Sequence, residues 1–384
     1  MRFEFATAAR IIFGQGTIKE CGPLARSFGE RAFLVLGKSS ERISGLIEQL
    51  RENGISISEF HVSGEPAVET IISGLEQAQA KSCNLVIGIG GGSVIDTGKA
   101  IAALMTNPGQ IYDYLEVVGL GKQLTHPSIP YIAIPTTAGT GSEVTRNAVI
   151  TIPDKHVKVS LRSPLMSPRV AIVDPELTYS LPPEITAATG LDALTQLIEP
   201  FLSNASNPMT DAICREGIRY VSRSLRFAYG HGDDPHARQD MAVGSLWGGM
   251  ALANAKLGAV HGFASSIGGK FPAPHGAICA RLLPLVVESN LKAIQMRATQ
   301  SSMLERFDEM GKLLTSDPVA RAEDGIKWLR DLGTALKVPP LASHGVTRSD
   351  IPEIIVQAKS ASSMKGNPIE LTDGELSQIL ELAL

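Results

Sequence analysis

Residues 86–100 read VIGIGGGSVIDTGKA: an apolar, β-rich run, three consecutive glycines, then a helical pattern. A chain that turns from a buried strand straight into a helix belongs in an α/β sheet, at the carboxyl end of a strand, where such sheets bind ligands. Glycines let the backbone approach a phosphate and adopt positive φ, while the helix N-terminus offers free N–H groups and a favourable dipole. Ser93 and Asp96 have the S-x-x-D spacing of a capping box. The strict dinucleotide fingerprint is not met, because Gly88-x-Gly90-x-x is followed by Ser93. A tight β–α turn without a ligand is the competing reading.

The flanking sequence repeats the alternation. RAFLVLG (31–37), SISEFHV (56–62), NLVIGIG (84–90), YIAIPTT (131–137) and VAIVD (170–174) read as strands. Helical patterns over 41–53, 68–82 and 94–105 separate the first four. This predicts a mostly parallel sheet flanked by helices. A second polar, glycine-containing turn, IPTTAGTGSEVTRNAVI (134–150), follows the fourth strand, so two turns share one sheet edge. After Pro182-Pro183 the pattern becomes helical throughout. The expected organisation is an α/β domain over 1–180 and an all-helical domain over 181–384.

Composition narrows the class. With 43% hydrophobic and 19% charged residues, a formal net charge of −4 and a pI near 6.1, the chain reads as an ordinary globular protein. Nothing in the charge points to nucleic acid or an anionic membrane as partner. The four cysteines form no CxxC pair, so reduced thiols fit better than a zinc ribbon or a disulfide scaffold. The first residues, MRFEFATAARIIFGQG, lack the apolar core of a signal peptide. A cytoplasmic protein is expected.

In the second half, GLDALTQLIEP (190–200) puts Asp192 and Gln196 four residues apart, on one helix face. Of the eight histidines, His261 and His275, in GAVHGFASSIGGKFPAPHGAICARLLP (258–284), sit in a context that suggests ligation. Together the four residues give an O, O, N, N donor set that suits zinc or ferrous iron with a position open for substrate. The amide oxygen of Gln196 is a neutral and weaker donor than imidazole.

The set GGGSVIDTGKA, PTTAGTGSEVTRNAVI, VAIVDPELT, GLDALTQLIEP, NPMTDAICREGI and HGFASSIGGKFPAPHGAICARLLP resembles the iron-containing (group III) alcohol dehydrogenases over nearly the whole chain. The resemblance implies an N-terminal dinucleotide-binding domain, a helical C-terminal domain and an active site in the cleft. It implies metal ligation by one aspartate and three histidines. Asp192, His261 and His275 match three of these, and Gln196 stands where the remaining histidine would be. Ser265 occupies a position where the family often has a histidine implicated in proton transfer. The resemblance places Gly90, Gly91, Gly92 and Ser93 at the pyrophosphate, and Thr136, Thr137 and Thr140 in the second nucleotide turn. Asp96 and Lys158 match positions at the nicotinamide end. Gly37 stands where NAD-preferring members have an aspartate, and Lys38, Ser39 and Ser40 follow it. Loss of that carboxylate removes repulsion against a 2′-phosphate, which Lys38 or Arg42 can attract, so both NAD and NADP are open.

The implied activity is reversible hydride transfer between a small alcohol or hydroxy acid and NAD(P), assisted by a divalent metal, iron or zinc, in a homodimer or larger oligomer. Three alternatives remain: a metal-independent enzyme resembling maleylacetate reductases, a lyase resembling dehydroquinate synthase, and a nucleotide-binding protein with a decayed catalytic set.

Overall fold

The computed structural model describes residues 2–37, 44–155 and 157–384. The chain forms two compact units. One comprises Thr7–Thr137 and Gly141–Tyr179; the other comprises residues 2–6, Ala138–Thr140 and Ser180–Leu384.

The first unit runs β1 (Ile11–Phe13), α1 (Cys21–Phe28), β2 (Arg31–Leu36), α2 (Ser44–Glu52), β3 (Ser56–His61), α3 (Val68–Ala80), β4 (Leu85–Gly90), α4 (Gly92–Leu104), α5 (Ile111–Tyr114), β5 (Tyr131–Pro135), β6 (Asn147–Ile152), β7 (Val157–Arg162) and β8 (Val170–Val173). Six strands form a parallel sheet in the order β1-β8-β5-β4-β2-β3. Both faces are covered, which is why the central strands are continuous apolar runs rather than alternating ones. Ala32, Leu34, Leu36 and Ile87 pack with Cys21 and Ala25 of α1. Phe33, Val35 and Val86 point the other way, towards Ile71 of α3 and Ile101 of α4.

From β2 the chain moves outward to β3 and then returns to place β4 on the other side of β2. The strand order therefore reverses between β2 and β4, where open sheets of this type leave a crevice beyond the carboxyl ends. Gly37 follows β2, and the triple glycine begins at Gly90, the last residue of β4, just beyond Leu36↔Ile89, the last pair between these two strands.

Three strands were not expected from the sequence, nor were the helices α1 and α5. β1 is only three residues long and pairs with β8 at the sheet edge. β6 and β7 form a separate antiparallel hairpin, whose buried Ile150 and Leu161 join the cluster against α4. Of the helix expected over 41–53, residues 44–52 are helical and 41–43 lie outside the described residues.

The second unit is built from α6 (Pro183–Leu202), α7 (Pro208–Gly230), α8 (Pro235–Asn254), α9 (Ala259–Lys270), α10 (His275–Arg297), α11 (Met303–Thr315), α12 (Ala322–Ala335), α13 (Ile351–Ser360) and α14 (Asp373–Ala383). α6, α7 and α8 each begin on proline, whose fixed φ suits the first helical turn. α6 is the centre of the unit: residues 190–202 are buried without interruption. A helix buried all round should be apolar all round, yet this one carries Asp192, Gln196 and Glu199 inward, each at most 7% exposed. Buried charge is costly unless it is paired or ligates a metal. No described helix is long and apolar enough to cross a membrane.

Candidate active site

The glycine turn works by close approach. None of Gly90, Gly91 and Gly92 has positive φ, contrary to the expectation for this turn. Gly91, the N-cap of α4, sits at φ −75°. What demands glycine at 90 is space, since a Cβ there would lie 2.5 Å from Val94 Cγ2. The expected capping box does not form either. Ser93 lies inside the first turn of α4, two residues past the N-cap position held by Gly91, and no side chain caps the helix from there. The start of α4 is thus left without a side-chain cap, which suits it to an anion. Thr136 is anchored beside it, its N–H donating to Gly90 O at 2.9 Å, and Thr137 lies over Gly91. Thr140 belongs to the short stretch that packs with the helical unit.

Asp96 is held by the protein itself. Its Oδ2 accepts from Val149 N–H at 2.9 Å, and its Oδ1 accepts from the Ser142 hydroxyl. Beside it lies Lys99, which is completely buried. The ammonium donates to Ser142 O, Ser142 Oγ, Thr145 Oγ1 and Asn147 O at 2.7–3.0 Å, with Asp96 Oδ1 at 3.4 Å. Burial pulls the Lys99 pKa down, against the attraction of Asp96. This clasp fixes the second glycine-rich loop to α4. Its signal, the D-x-x-K spacing of Asp96 and Lys99, was not used in reading the sequence. Lys158, on β7, has a nearly buried side chain with its Nζ 3.4 Å from Glu65. Gly37 is half-buried, whereas Lys38, Ser39, Ser40 and Arg42 lie outside the described residues.

In the helical unit, α6, α9 and α10 bring three expected ligands together. His261 Nε2 is 3.6 Å and His275 Nε2 3.8 Å from the same atom, Asp192 Oδ1. The two imidazole rings are 5.4 Å apart, tilted by 51°. These separations are too long for hydrogen bonds, and Asp192 Oδ1 has no hydrogen-bond partner although it is buried. The same holds for Gln196 Oε1, one turn further along α6. An orphaned carboxylate oxygen facing two imidazole nitrogens is a donor arrangement that suits a cation, so these residues fit a divalent metal.

Glu199 completes the arrangement and was missed in the sequence. His261 Nδ1 donates to Glu199 Oε2 at 2.6 Å, while Oε1 accepts from Val260 N–H at 2.7 Å. One carboxylate therefore caps the start of α9 and fixes the His261 tautomer, turning Nε2 towards Asp192. Gly258 makes room: a Cβ there would meet Glu199 Oε1 at 2.8 Å. Burial disfavours a charged His261, but Asp192 and Glu199 outweigh it and lift the imidazolium pKa to about 9. Burial likewise works against ionised Asp192, and the two histidines overcome it, holding the carboxyl below its usual range. Ligation through His261 Nε2 would require release of that proton. Ser265, one turn after His261, is half-buried.

A sixth side chain, that of Cys279, reaches the cluster. Cys279 Sγ lies 3.6 Å from His275 Nε2, and one donor atom from each of Asp192, His261, His275 and Cys279 lies within 4.8 Å of the others. The H-x-x-x-C spacing of His275 and Cys279, one helical turn, was the available signal.

Comparison with known proteins decides the family. The iron-containing alcohol dehydrogenase family matches residues 8–175, and its C-terminal counterpart matches residues 186–384. The chain belongs to the iron-containing alcohol dehydrogenase family. Alcohol dehydrogenase 4 of Saccharomyces cerevisiae is 34% identical over 377 residues, covering 97% of this chain and 96% of the relative. The crystal structure of a 1,3-propanediol oxidoreductase superposes with a TM-score of 0.91 at 33% identity, covering both chains fully. That of sulfoacetaldehyde reductase from Bifidobacterium kashiwanohense in complex with NAD+ gives 0.85 at 28% identity, over 100% of this chain and 99% of the other. Membership in the iron-containing alcohol dehydrogenase family makes the protein an oxidoreductase of the alcohol dehydrogenase type.

Proposed function

We propose that the protein catalyses metal-assisted, NAD(P)-linked interconversion of a small alcohol or hydroxy acid with its carbonyl: alcohol plus NAD(P)+ gives carbonyl plus NAD(P)H plus a proton. The observation that carries this reading is the buried Asp192, His261 and His275 cluster with the unpartnered oxygens of Asp192 and Gln196. Asp192, His261 and His275 would hold the metal, and Gln196, one turn after Asp192 on α6, carries a buried amide oxygen without a partner. Bound there, a divalent metal supplies a Lewis acid for the substrate oxygen. Asp192 offers the anionic donor, and Glu199 keeps the His261 ring in the orientation that ligation needs. Ser265 offers a hydroxyl at the position where a proton must leave.

The nucleotide is assigned to the carboxyl ends of β2, β4 and β5. The uncapped start of α4, with Gly90, Gly91, Gly92 and Ser93, is a phosphate cradle, and Thr136 and Thr137 flank it; Thr140, Asp96 and Lys158 are assigned to the cofactor by family resemblance alone. The NAD+ complex of the sulfoacetaldehyde reductase supports a nicotinamide cofactor. The direct test is to follow nicotinamide absorbance with metal-loaded protein against short alcohols, diols, aldehydes and oxo acids. Turnover with none of them, despite nucleotide binding, refutes the assignment.

Cofactor choice is tested at Gly37. A Cβ at this position would be in ordinary contact with Val94 Cγ2, at 3.6 Å, so an aspartate fits without displacing its neighbours. Gly37→Asp should move preference towards NAD, since a carboxylate there accepts from a ribose hydroxyl and repels a 2′-phosphate. The check is the ratio of kcat/KM for NADP to that for NAD. An unchanged ratio contradicts the placement of the adenosine ribose beside β2.

A further inference from the structure

We propose that Cys279 is itself a metal ligand. The donor set becomes one carboxylate, two imidazoles and a thiolate, suited to zinc in preference to iron. This rests on the metal-dependent reading above and assigns it a fourth strong donor, so that the substrate oxygen would add as a fifth ligand.

The first argument is geometric. Nitrogen and oxygen donors about 2.0–2.1 Å from a tetrahedral zinc stand about 3.4 Å from one another, and a sulfur at about 2.3 Å stands about 3.6 Å from a nitrogen. The structure has 3.6 Å between His261 Nε2 and Asp192 Oδ1, 3.8 Å between His275 Nε2 and Asp192 Oδ1, and 3.6 Å between Cys279 Sγ and His275 Nε2. These three of the six donor–donor separations match a slightly expanded tetrahedron, and all four donors lie within 4.8 Å of one another. The second argument is independent of the cysteine: Asp192, 2% exposed, presents an oxygen with no hydrogen-bond partner to the same space.

The third argument is chemical. Gln196 puts a neutral amide where the family resemblance implies an imidazole, which weakens the set. A thiolate one turn after His275 supplies a stronger and anionic donor, and mixed sulfur and nitrogen donors in tetrahedral array favour zinc. All four cysteines are buried, but Cys279 is the one whose sulfur joins the Asp192, His261 and His275 donors among the described residues. On ligation the Cys279 thiol passes its proton to solvent and the sulfur lone pair forms the metal–sulfur bond, so nothing is oxidised or reduced.

Cobalt(II) added to the metal-free protein separates the possibilities without any assay of activity. Visible ligand-field bands report binding at the site, and a near-ultraviolet sulfur-to-cobalt charge-transfer band reports the thiolate. The expected result is both signals in the wild type, and loss of the charge-transfer band with retained ligand-field bands in Cys279→Ser and Cys279→Ala. Ligand-field bands without charge transfer in the wild type overturn the cysteine assignment and leave the metal reading intact. No cobalt or zinc binding at all overturns the metal reading itself. Should both variants fail to fold, X-ray absorption of the zinc-loaded wild type decides the matter: one sulfur scatterer at about 2.3 Å supports the proposal, and a shell of nitrogen and oxygen alone overturns it.

Discussion

Asp192→Asn should lower NAD(P)-linked turnover by roughly 10²–10⁴-fold, the range that corresponds to losing several kcal/mol of Lewis-acid stabilisation. The substitution keeps the shape of the side chain and removes its charge. In the present arrangement one atom, Asp192 Oδ1, faces both His261 Nε2 and His275 Nε2 from inside α6. An asparagine would offer a neutral oxygen, or turn its NH2 towards the cation. Retained metal should fall in parallel, and nucleotide binding should not change, because the glycine turns belong to the other unit. Metal content, nucleotide affinity and kcat measured on one preparation check this. Normal turnover with asparagine at 192 would remove Asp192 from the chemistry.

The second large effect is expected two turns further along the same helix face, at Glu199. Its two oxygens accept from two different donors, Val260 N–H and His261 Nδ1. Glutamine has only one acceptor oxygen, so Glu199→Gln turns an NH2 group against one of those donors. Either the His261 ring rotates or the first turn of α9 loses its cap. Substitutions of this kind behind a ligating histidine cost roughly 10–100-fold in metal affinity, and that loss is expected in zinc titrations against a competing chelator. Turnover at saturating metal should recover most of its wild-type value, which distinguishes a positioning residue from a ligand. Unchanged affinity would mean that His261 is oriented by something else.

How far these features can be read from the sequence depends on how local their causes are. The central strands of the sheet announce themselves because both faces are buried, so VLVIG-like runs are apolar throughout; β1 has only three residues and carries too little pattern. The β6–β7 hairpin alternates buried with less buried residues, but it directly follows the glycine- and hydroxyl-rich stretch 136–145, which masked it. The triple glycine marks a tight turn, but its cause is the Val94 side chain packed under Gly90 rather than positive φ. Ser93 and Asp96 have capping-box spacing, yet the helix starts two residues earlier than that motif needs, and Asp96 is drawn to Val149 and Ser142 instead. In the helical unit, Asp192, His261 and His275 stand out by residue type and context. Glu199 and Cys279 do not, because their meaning arises from contacts across α6, α9 and α10. Glu199 and His261 are 62 residues apart in the chain, and no short spacing announces that pair.

The central claim is that a metal at the Asp192 cluster takes part in turnover. It is tested most directly by stripping the protein with a chelator, confirming an intact fold and nucleotide binding, and measuring NAD(P)-linked oxidation of a short diol before and after zinc or iron is restored. The account predicts that turnover falls by about 10²-fold or more on stripping and returns in proportion to the metal taken up. Full turnover in verified metal-free protein would contradict it.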